Sequence, residues 1–146
     1  MEKKEFKLEE SFGYHFNIIF INTKRLMEIR LKSYNLTHLQ FSILINLYKN
    51  NVTTQKELLK FTYGDETSIT RLIDRLEKKG YLQRKKCTDD KRKKKIVLTQ
   101  SGAALTEKLI LCAVKVNKEL TENLEEEEAE QLLRLLQKVT LSSNKA

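Results

Sequence analysis

Residues 65–99 read DETSITRLIDRLEKKGYLQRKKCTDDKRKKKIVLT and combine an amphipathic segment, a glycine and a dense run of cations. Four apolar residues of this stretch recur at three- and four-residue steps: Ile69, Leu72, Ile73 and Leu76. That spacing predicts one apolar stripe along an α-helix from about Glu66 to Lys79, with Gly80 after its end. The polar residues of this helix must therefore face away from the core.

The outward side of this helix is polar at its start and cationic towards its end. In a helix-turn-helix, the second helix meets base edges in the major groove, where Arg bonds guanine and Thr contacts the thymine methyl. We therefore predict DNA contacts from the outward residues Thr67, Ser68, Thr70, Arg71, Arg75 and Lys78. Asp74 lies on the same side but has few reasons to face DNA, so we expect it in an ion pair. Asp65 and Glu66 suit the helix cap and the helix dipole.

Two more helices are predicted upstream from the signals at their ends. Asn35 suits a left-handed helix stop, and Thr37 with Gln40 forms a capping box that opens the next helix. Thr54 with Glu57 repeats the capping-box pattern at the start of a short helix.

The short helix and the amphipathic helix are separated only by a turn at residues 63–65. Two helices with this spacing form a helix-turn-helix. The short helix contains three apolar residues: Leu58, Leu59 and Phe61. Its start is predicted to contact DNA through Thr53, Thr54 and Gln55.

Beyond Gly80 the pattern becomes that of a two-stranded hairpin. Leu82 on one strand, and Ile96 with Leu98 on the other, would pack on the helices. The outer face and tip carry a dense group of cations: Arg84, Lys85, Lys86, Lys91, Arg92, Lys93, Lys94 and Lys95. We predict DNA-backbone contacts from Arg84, Lys86, Lys91, Arg92, Lys93 and Lys94, against the alternative of a solvated charged face.

The charge of the whole chain is concentrated in this region. The 146 residues include 28 basic and 20 acidic side chains, giving a formal charge of +8 and an isoelectric point near 9.4. Residues 53–100 hold 14 basic and 7 acidic residues, so one third of the chain carries nearly all of the excess. This distribution indicates a partner with many negative charges.

Length and composition favour one domain with dimerising helices in a cytoplasmic protein. No run of apolar residues is long enough to span a membrane, and the N-terminal segment MEKKEFKLEE is charged, so no membrane partner is expected. Cys87 and Cys112 lack a CxxC spacing, which argues against a disulfide scaffold and a zinc ribbon. Both are expected to be free thiols.

Apolar residues flank the DNA-binding part on both sides. From about Glu10 to Ser33 they cover more than one side of a helix, which predicts contact with a second subunit as well as with its own domain. Two C-terminal stripes comprise Leu105, Leu109, Cys112, Val116 and Leu120, and then Leu132, Leu133, Leu135, Leu136 and Val139. Both stripes are predicted to form the seam of a dimer.

The order of these segments resembles the MarR family of bacterial winged-helix transcription regulators. Four segments carry the resemblance: LTHLQFSIL (36–44), SITRLIDRLEKKGYLQR (68–84), DKRKKKIVLTQSG (90–102) and NLEEEEAEQLLRLLQKV (123–139). The most specific feature is the D-x-R of Asp90 and Arg92 placed before IVLT. The resemblance covers essentially the whole chain.

The resemblance implies a mainly α fold with a winged helix-turn-helix, a small antiparallel β-hairpin wing, and N- and C-terminal dimerisation helices. Residues 1–146 would form a single unit, with the winged helix over 36–100 and the dimerisation helices over 9–35 and 101–146. The implied protein is a homodimeric regulator, most often a repressor, that binds double-stranded DNA. Its recognition helix would enter the major groove, and Arg92 would reach the minor groove. A two-fold dimer would match a pseudo-palindromic operator.

Two candidate sites remain open between a functional and an ordinary role. The family often has a small-molecule effector pocket, which Phe12, His15, Phe16 and Ile19 could line; the alternative is a helix-packing face. Cys87 sits among cations that favour its thiolate, so it is either a redox sensor or an incidental wing cysteine. With only His15 and His38 and no suitable ligand set, neither a metal nor another cofactor is expected.

An enzymatic role is not expected, because the sequence lacks G-x-S-x-G, P-loop and H-E-x-x-H motifs. Two other roles compete with that of a sequence-specific regulator. One is a winged helix for protein–protein assembly, whose basic wing binds an acidic partner. The other is a nonspecific architectural DNA binder. Sequence preference and dyad symmetry in the bound DNA distinguish the regulator from both.

Overall fold

The computed structural model describes residues 4–87, 89–90 and 94–143. These residues form α1 (Phe12–Leu31), α2 (His38–Lys49), α3 (Gln55–Phe61), α4 (Glu66–Lys78), β1 (Leu82–Lys86), β2 (Lys94–Leu98), α5 (Gln100–Leu120) and α6 (Glu126–Ser143). Short 3-10 turns lie at Leu8–Glu10 and Lys32–Tyr34. The strands β1 and β2 pair antiparallel as a single hairpin. The predicted mainly α winged-helix fold is confirmed.

The helix ends follow the local chemistry of the sequence. The Thr37 hydroxyl accepts the N–H of Gln40, and the Gln40 amide accepts the N–H of Thr37, so the predicted capping box is complete. Asn35 (φ 55°) and Gly80 (φ 82°) both adopt the left-handed conformation just past a helix. After α4, the N–H of Tyr81 bonds the carbonyl of Leu76 at 3.0 Å, which closes the helix end.

The core lies where α1, α2, α4, α5 and the hairpin meet. Ile69, Ile73 and Leu76 of α4 are fully buried there, while Leu72 is only half-buried. In α3, Leu58 is buried and Leu59 is half-buried, while Phe61, the last residue of the helix, is exposed. Among the described residues, no helix has the length and apolarity needed to cross a membrane.

The apolar stripe of α5 packs within its own subunit. Leu109 and Val116 are buried against α1 and α2, and Leu105, Cys112 and Leu120 pack on the same core. Its assignment to the dimer seam was therefore wrong. The periodicity correctly predicted that one side of α5 is buried. That side is buried against the core of the same chain. The exposed apolar residues of α5 lie on another side, at Leu111 and Val114.

Two helices present large apolar surfaces to solvent in the isolated chain. Residues of α1 exposed in this way include Phe12, Phe16, Ile18, Ile19, Phe20 and Ile21. In α6 no residue is buried within the part of the chain whose side chains are described, and Leu133 remains 58% exposed. An 18-residue helix with an apolar side depends on tertiary packing for most of its stability. Exposed apolar surfaces of this size are typical of protein–protein interfaces.

The end of α4 and the start of α5 meet backbone to backbone. Thr99 caps α5 by accepting the N–H of Gly102, and its own hydroxyl donates to the carbonyl of Gly80 at 2.6 Å. The N–H of Thr99 donates to the carbonyl of Tyr81 at 3.1 Å. A Cβ atom added at Gly102 would lie 1.9 Å from that same Tyr81 oxygen. Only glycine fits this position.

We predict that Gly102→Ala lowers the free energy of unfolding by about 3 kcal/mol, because the added methyl group overpacks against a fixed carbonyl. Urea unfolding followed by circular dichroism measures the loss. Gly13→Ala is the matched control, since its Cβ atom would meet only the Ser11 hydroxyl, at 3.9 Å. The control should be as stable as the parent or slightly more so. Equal stability of Gly102→Ala and the parent would contradict the backbone contact.

Candidate nucleic-acid interface

The outward side of α4 presents the residues predicted to contact DNA. Thr67, Arg71, Arg75 and Lys78 are exposed, while Ser68 and Thr70 are half-buried. Asp65 caps the helix, and its Oδ1 accepts the N–H of Ser68 at 2.7 Å. This backbone hydrogen bond holds the pKa of Asp65 below its usual value. The acidic start of α4 is thus engaged in capping, as expected.

Gln55 and Thr70 join the two helices of the helix-turn-helix. The side-chain amide of Gln55 donates to the Thr70 hydroxyl at 2.5 Å. That hydroxyl in turn donates to the carbonyl of Glu66 at 2.8 Å. The only O–H donor of Thr70 is therefore used inside the protein, which leaves its methyl group for contact with a base. Gln55 keeps its amide oxygen and one N–H.

Thr53 and Thr54 are held by the first turn of α3. Both hydroxyls donate to Oε1 of Glu57, at 3.3 Å and 3.0 Å. The Thr54 hydroxyl also accepts the N–H of Glu57, which caps the helix. A hydroxyl bond to phosphate from either residue would first require release of Glu57.

The wing is anchored by apolar residues at its base and is cationic beyond them. Leu82 pairs with Leu98, and Arg84 with Ile96, and both Leu82 and Ile96 are buried. Further out, Lys86 faces Lys94, and both side chains are exposed. The predicted contacts Lys91, Arg92 and Lys93 lie outside the described residues.

Arg84 differs from the other predicted wing contacts. Its guanidinium lies 2.6 Å from a carboxylate oxygen of Asp74 and 3.1 Å from one of Glu77, and only 20% of its side chain is exposed. The expectation that Asp74 belongs to an ion pair is confirmed. Contact between Arg84 and phosphate stays a prediction, but its charge is already engaged by α4. Sequence reasoning missed Glu77, although it lies three residues after Asp74 on the same side of the helix.

The four residues proposed for an effector pocket are all exposed in the isolated chain. Phe12 is 81% exposed, and His15 donates through Nε2 to the carbonyl of Glu9 at 2.7 Å. A cleft of about 320 Å³ lies instead between α1, α2 and α4. Its lining comprises Lys24, Glu28, Thr37, Leu39, Tyr63, Ser68, Arg71, Leu72 and Arg75. This cleft could not be predicted from local sequence patterns, because its walls are brought together only by the fold.

Beside this cleft, three rings pack together at the N-terminal end of α2. His38 stacks on Tyr63 with 5.6 Å between ring centroids, and its Nδ1 lies 3.1 Å from the Tyr63 hydroxyl. Phe20 of α1 meets both rings edge-on. Burial lowers the pKa of His38, with Lys24 adding to the effect and Glu28 opposing it. Burial also raises the pKa of Tyr63.

Cys87 and Cys112 are both free thiols, as expected, and both are half-buried. Among the described residues, no group of three or more His, Cys, Asp or Glu side chains could hold a metal ion. Neither cysteine therefore belongs to a metal site in this part of the chain.

Comparison with known proteins agrees with this geometry. The model of the MarR family matches residues 36–94. The crystal structure of wild-type MarR in its apo form from E. coli is 31% identical to this chain, with a TM-score of 0.80, and the match covers 92% of this chain and 98% of that one. The chain belongs to the MarR family. It is thereby a winged-helix transcription regulator rather than a member of an enzyme family.

Two further solved structures are similar to this chain. A mutant MarR from E. coli complexed with operator DNA is 30% identical, with a TM-score of 0.76, and the match covers 94% of this chain and 99% of that one. BpsR from Bordetella bronchiseptica, whose DNA binding is described as regulated by 6-hydroxynicotinic acid, has a TM-score of 0.79 over 94% of this chain and 98% of its own. At 22% identity, BpsR shows a shared fold alone.

We predict that His38 makes the stability of this MarR protein fall as the pH drops below about 6.5. Because the pKa of His38 is lowered on folding, the unfolded chain takes up the proton first, and the free energy of unfolding decreases until the folded protein is protonated too. Urea unfolding at pH 7.5, 6.5 and 5.5 measures this slope. His38→Gln should flatten it. An unchanged slope in His38→Gln would contradict the prediction.

Proposed function

We propose that this chain is a sequence-specific repressor that binds a pseudo-palindromic operator as a homodimer. The observation that carries the proposal is the outward side of α4, where Arg71, Arg75 and Lys78 are exposed, while the apolar residues Ile69, Ile73 and Leu76 on the opposite side are fully buried. A helix held in this way can enter the major groove without moving its own core. The cationic wing beside it supplies contacts to phosphate that do not depend on sequence.

The exposed apolar sides of α1 and α6 support a homodimer. Both helices carry large apolar residues that are exposed in the described part of the chain, and an isologous interface would bury the same surface on two copies. The two copies of α4 would then lie about 34 Å apart, one turn of DNA. Occupation of a promoter by such a dimer blocks transcription sterically, which is why we propose repression. Binding to chromosomal DNA also implies a cytoplasmic location.

A response to a small molecule is a finer part of the proposal. The cleft between α1 and α4 supports it better than the residues expected from the sequence, because its walls include both an α1 side chain, Lys24, and recognition-helix side chains, Arg71 and Arg75. A ligand in this cleft would contact both a dimerisation helix and the DNA-reading helix. Its effect on DNA binding would come from the difference in its affinity for the free and DNA-bound arrangements.

Duplex DNA from upstream of the protein's own gene tests the proposal in a mobility-shift titration. Affinity should fall steeply as salt rises from 50 to 200 mM, as expected when several phosphates are neutralised. Footprints should have dyad symmetry. Binding without sequence preference would favour the architectural role, and a stable monomer that does not prefer any DNA would favour the protein-assembly role.

We predict that Arg75→Ala and Arg92→Ala affect DNA binding differently. Loss of a base contact at Arg75 should change the discrimination between the operator and a base-substituted operator by about 1–3 kcal/mol. Loss of a wing cation at Arg92 should weaken binding to both duplexes equally and reduce the salt slope by about 1. Lys115→Ala on α5 is the control for removal of a distant cation. If Arg75→Ala binds every operator variant as the parent does, its assignment to base reading is wrong.

We predict that Leu135→Glu weakens the dimer. Each copy loses about 2 kcal/mol of apolar burial, and the two-fold axis doubles this loss, so the dissociation constant should rise roughly a thousandfold. Sedimentation equilibrium across micromolar concentrations measures the change. Gln137→Glu, on the polar side of the same helix, should leave the dimer intact. Dimers of equal strength in both variants would exclude α6 from the interface.

A further inference from the structure

We propose that Glu77 is a positioning residue for DNA binding, which through Arg84 fixes the direction of the wing relative to α4. The inference rests on the proposed DNA-binding function and adds a residue that the sequence did not indicate. The carboxylate of Glu77 makes two contacts with one residue of the wing. Its Oε2 accepts the backbone N–H of Arg84 at 2.9 Å, and its Oε1 accepts the guanidinium at 3.1 Å.

The wing needs such a contact because a two-stranded hairpin has little stability of its own. Beyond Leu82 and Ile96, the lysines that face one another across the hairpin are all exposed: Lys85, Lys86, Lys94 and Lys95. Lys85 stands opposite Lys95, and Lys86 stands opposite Lys94. Like charges directly opposite one another destabilise a strand pair. The hairpin therefore cannot hold its direction through its own cross-strand contacts.

Each strand of the hairpin makes a backbone hydrogen bond to the rest of the protein, and the two bonds come from residues that are paired with one another. Arg84 and Ile96 are opposite one another, and the N–H groups of both point out of the hairpin. The N–H of Arg84 bonds to Glu77 of α4, and the N–H of Ile96 bonds to the carbonyl of Thr53 at 2.7 Å. Asp74 adds a second carboxylate to the guanidinium of Arg84 at 2.6 Å. The edge of β1 is thereby tied to the recognition helix, and the edge of β2 to the segment before α3.

This arrangement matters for binding because helix and wing must reach the same duplex together. If the wing points in the required direction in only a fraction of molecules, the apparent affinity falls by that fraction. Glu77 and Asp74 are acidic, so on charge alone they oppose the approach of phosphate. Their presence on the recognition helix is accounted for by the wing contact.

The direction in which one substitution changes DNA affinity distinguishes a positioning role of Glu77 from an effect of its charge. On charge alone, Glu77→Ala should tighten DNA binding, because it removes a negative group from the DNA-facing region. If Glu77 positions the wing, Glu77→Ala should weaken binding about tenfold at constant salt. Glu77→Gln keeps one acceptor oxygen for the Arg84 N–H, so its affinity should lie between those of Glu77→Ala and the parent.

Glu66→Ala is the matched control, since it removes the same charge from the same helix and Glu66 makes no ion pair among the described residues. It should bind DNA as tightly as the parent or more tightly. The free energy of unfolding, measured with urea, should differ little between Glu77→Ala and Glu66→Ala, because the ion pairs of Arg84 are partly exposed to solvent. The proposal is overturned if Glu77→Ala binds as well as Glu66→Ala.

Amide hydrogen exchange provides a readout that does not need DNA. In Glu77→Ala the amide of Arg84 should lose its protection, while the amide of Ile96, held by Thr53, should keep it. An unchanged rate at Arg84 would overturn the proposal. If the parent protein fails to bind duplex DNA, the proposed function fails instead, and the exchange rates still decide whether Glu77 holds the wing.

Discussion

The contact between the Tyr81 carbonyl and Gly102 is the constraint on which the arrangement of the other elements depends. At this point α4 has just ended, β1 begins one residue later, and β2 has just led into α5. The carbonyls of Gly80 and Tyr81 together accept the hydroxyl and the N–H of Thr99. Because these groups belong to the backbone or to a short side chain, the angle between the recognition helix and α5 does not depend on flexible residues.

The parts of the fold that the sequence predicted are those determined within a few residues of each other. A cap such as Thr37 or Asp65 bonds an N–H three residues away, and a stop such as Gly80 needs only its own left-handed conformation. The apolar stripe of α4 is equally local, since a helix brings residues three and four apart to one side. Helix starts, helix stops and the outward side of α4 could therefore be derived without knowing the tertiary structure.

Sequence analysis could not predict which surface of the folded protein covers a given apolar or charged side chain. The stripe of α5 around Leu109 has the same period whether it faces its own core or a second subunit, so periodicity alone could not decide between them. Arg84 belongs to a run of cations, yet it pairs with Asp74 and Glu77 because the turn at Gly80 folds β1 back along α4. The cleft beside Tyr63 has walls from three helices distant in sequence. These features depend on long-range packing, which local patterns do not encode.

Affinity and specificity have different structural requirements in this interface. The polar side of α4 rests on a buried stripe, so the positions of its side chains are set before DNA arrives. The wing has the opposite character, because facing lysines such as Lys86 and Lys94 repel one another in the free protein. A phosphate between two such lysines converts that repulsion into attraction, and the gain is the same for any sequence. In the proposed function, binding to phosphate accounts for cations placed where they weaken the hairpin. Discrimination between bases would then come from the helix, whose geometry the binding of phosphate does not have to create.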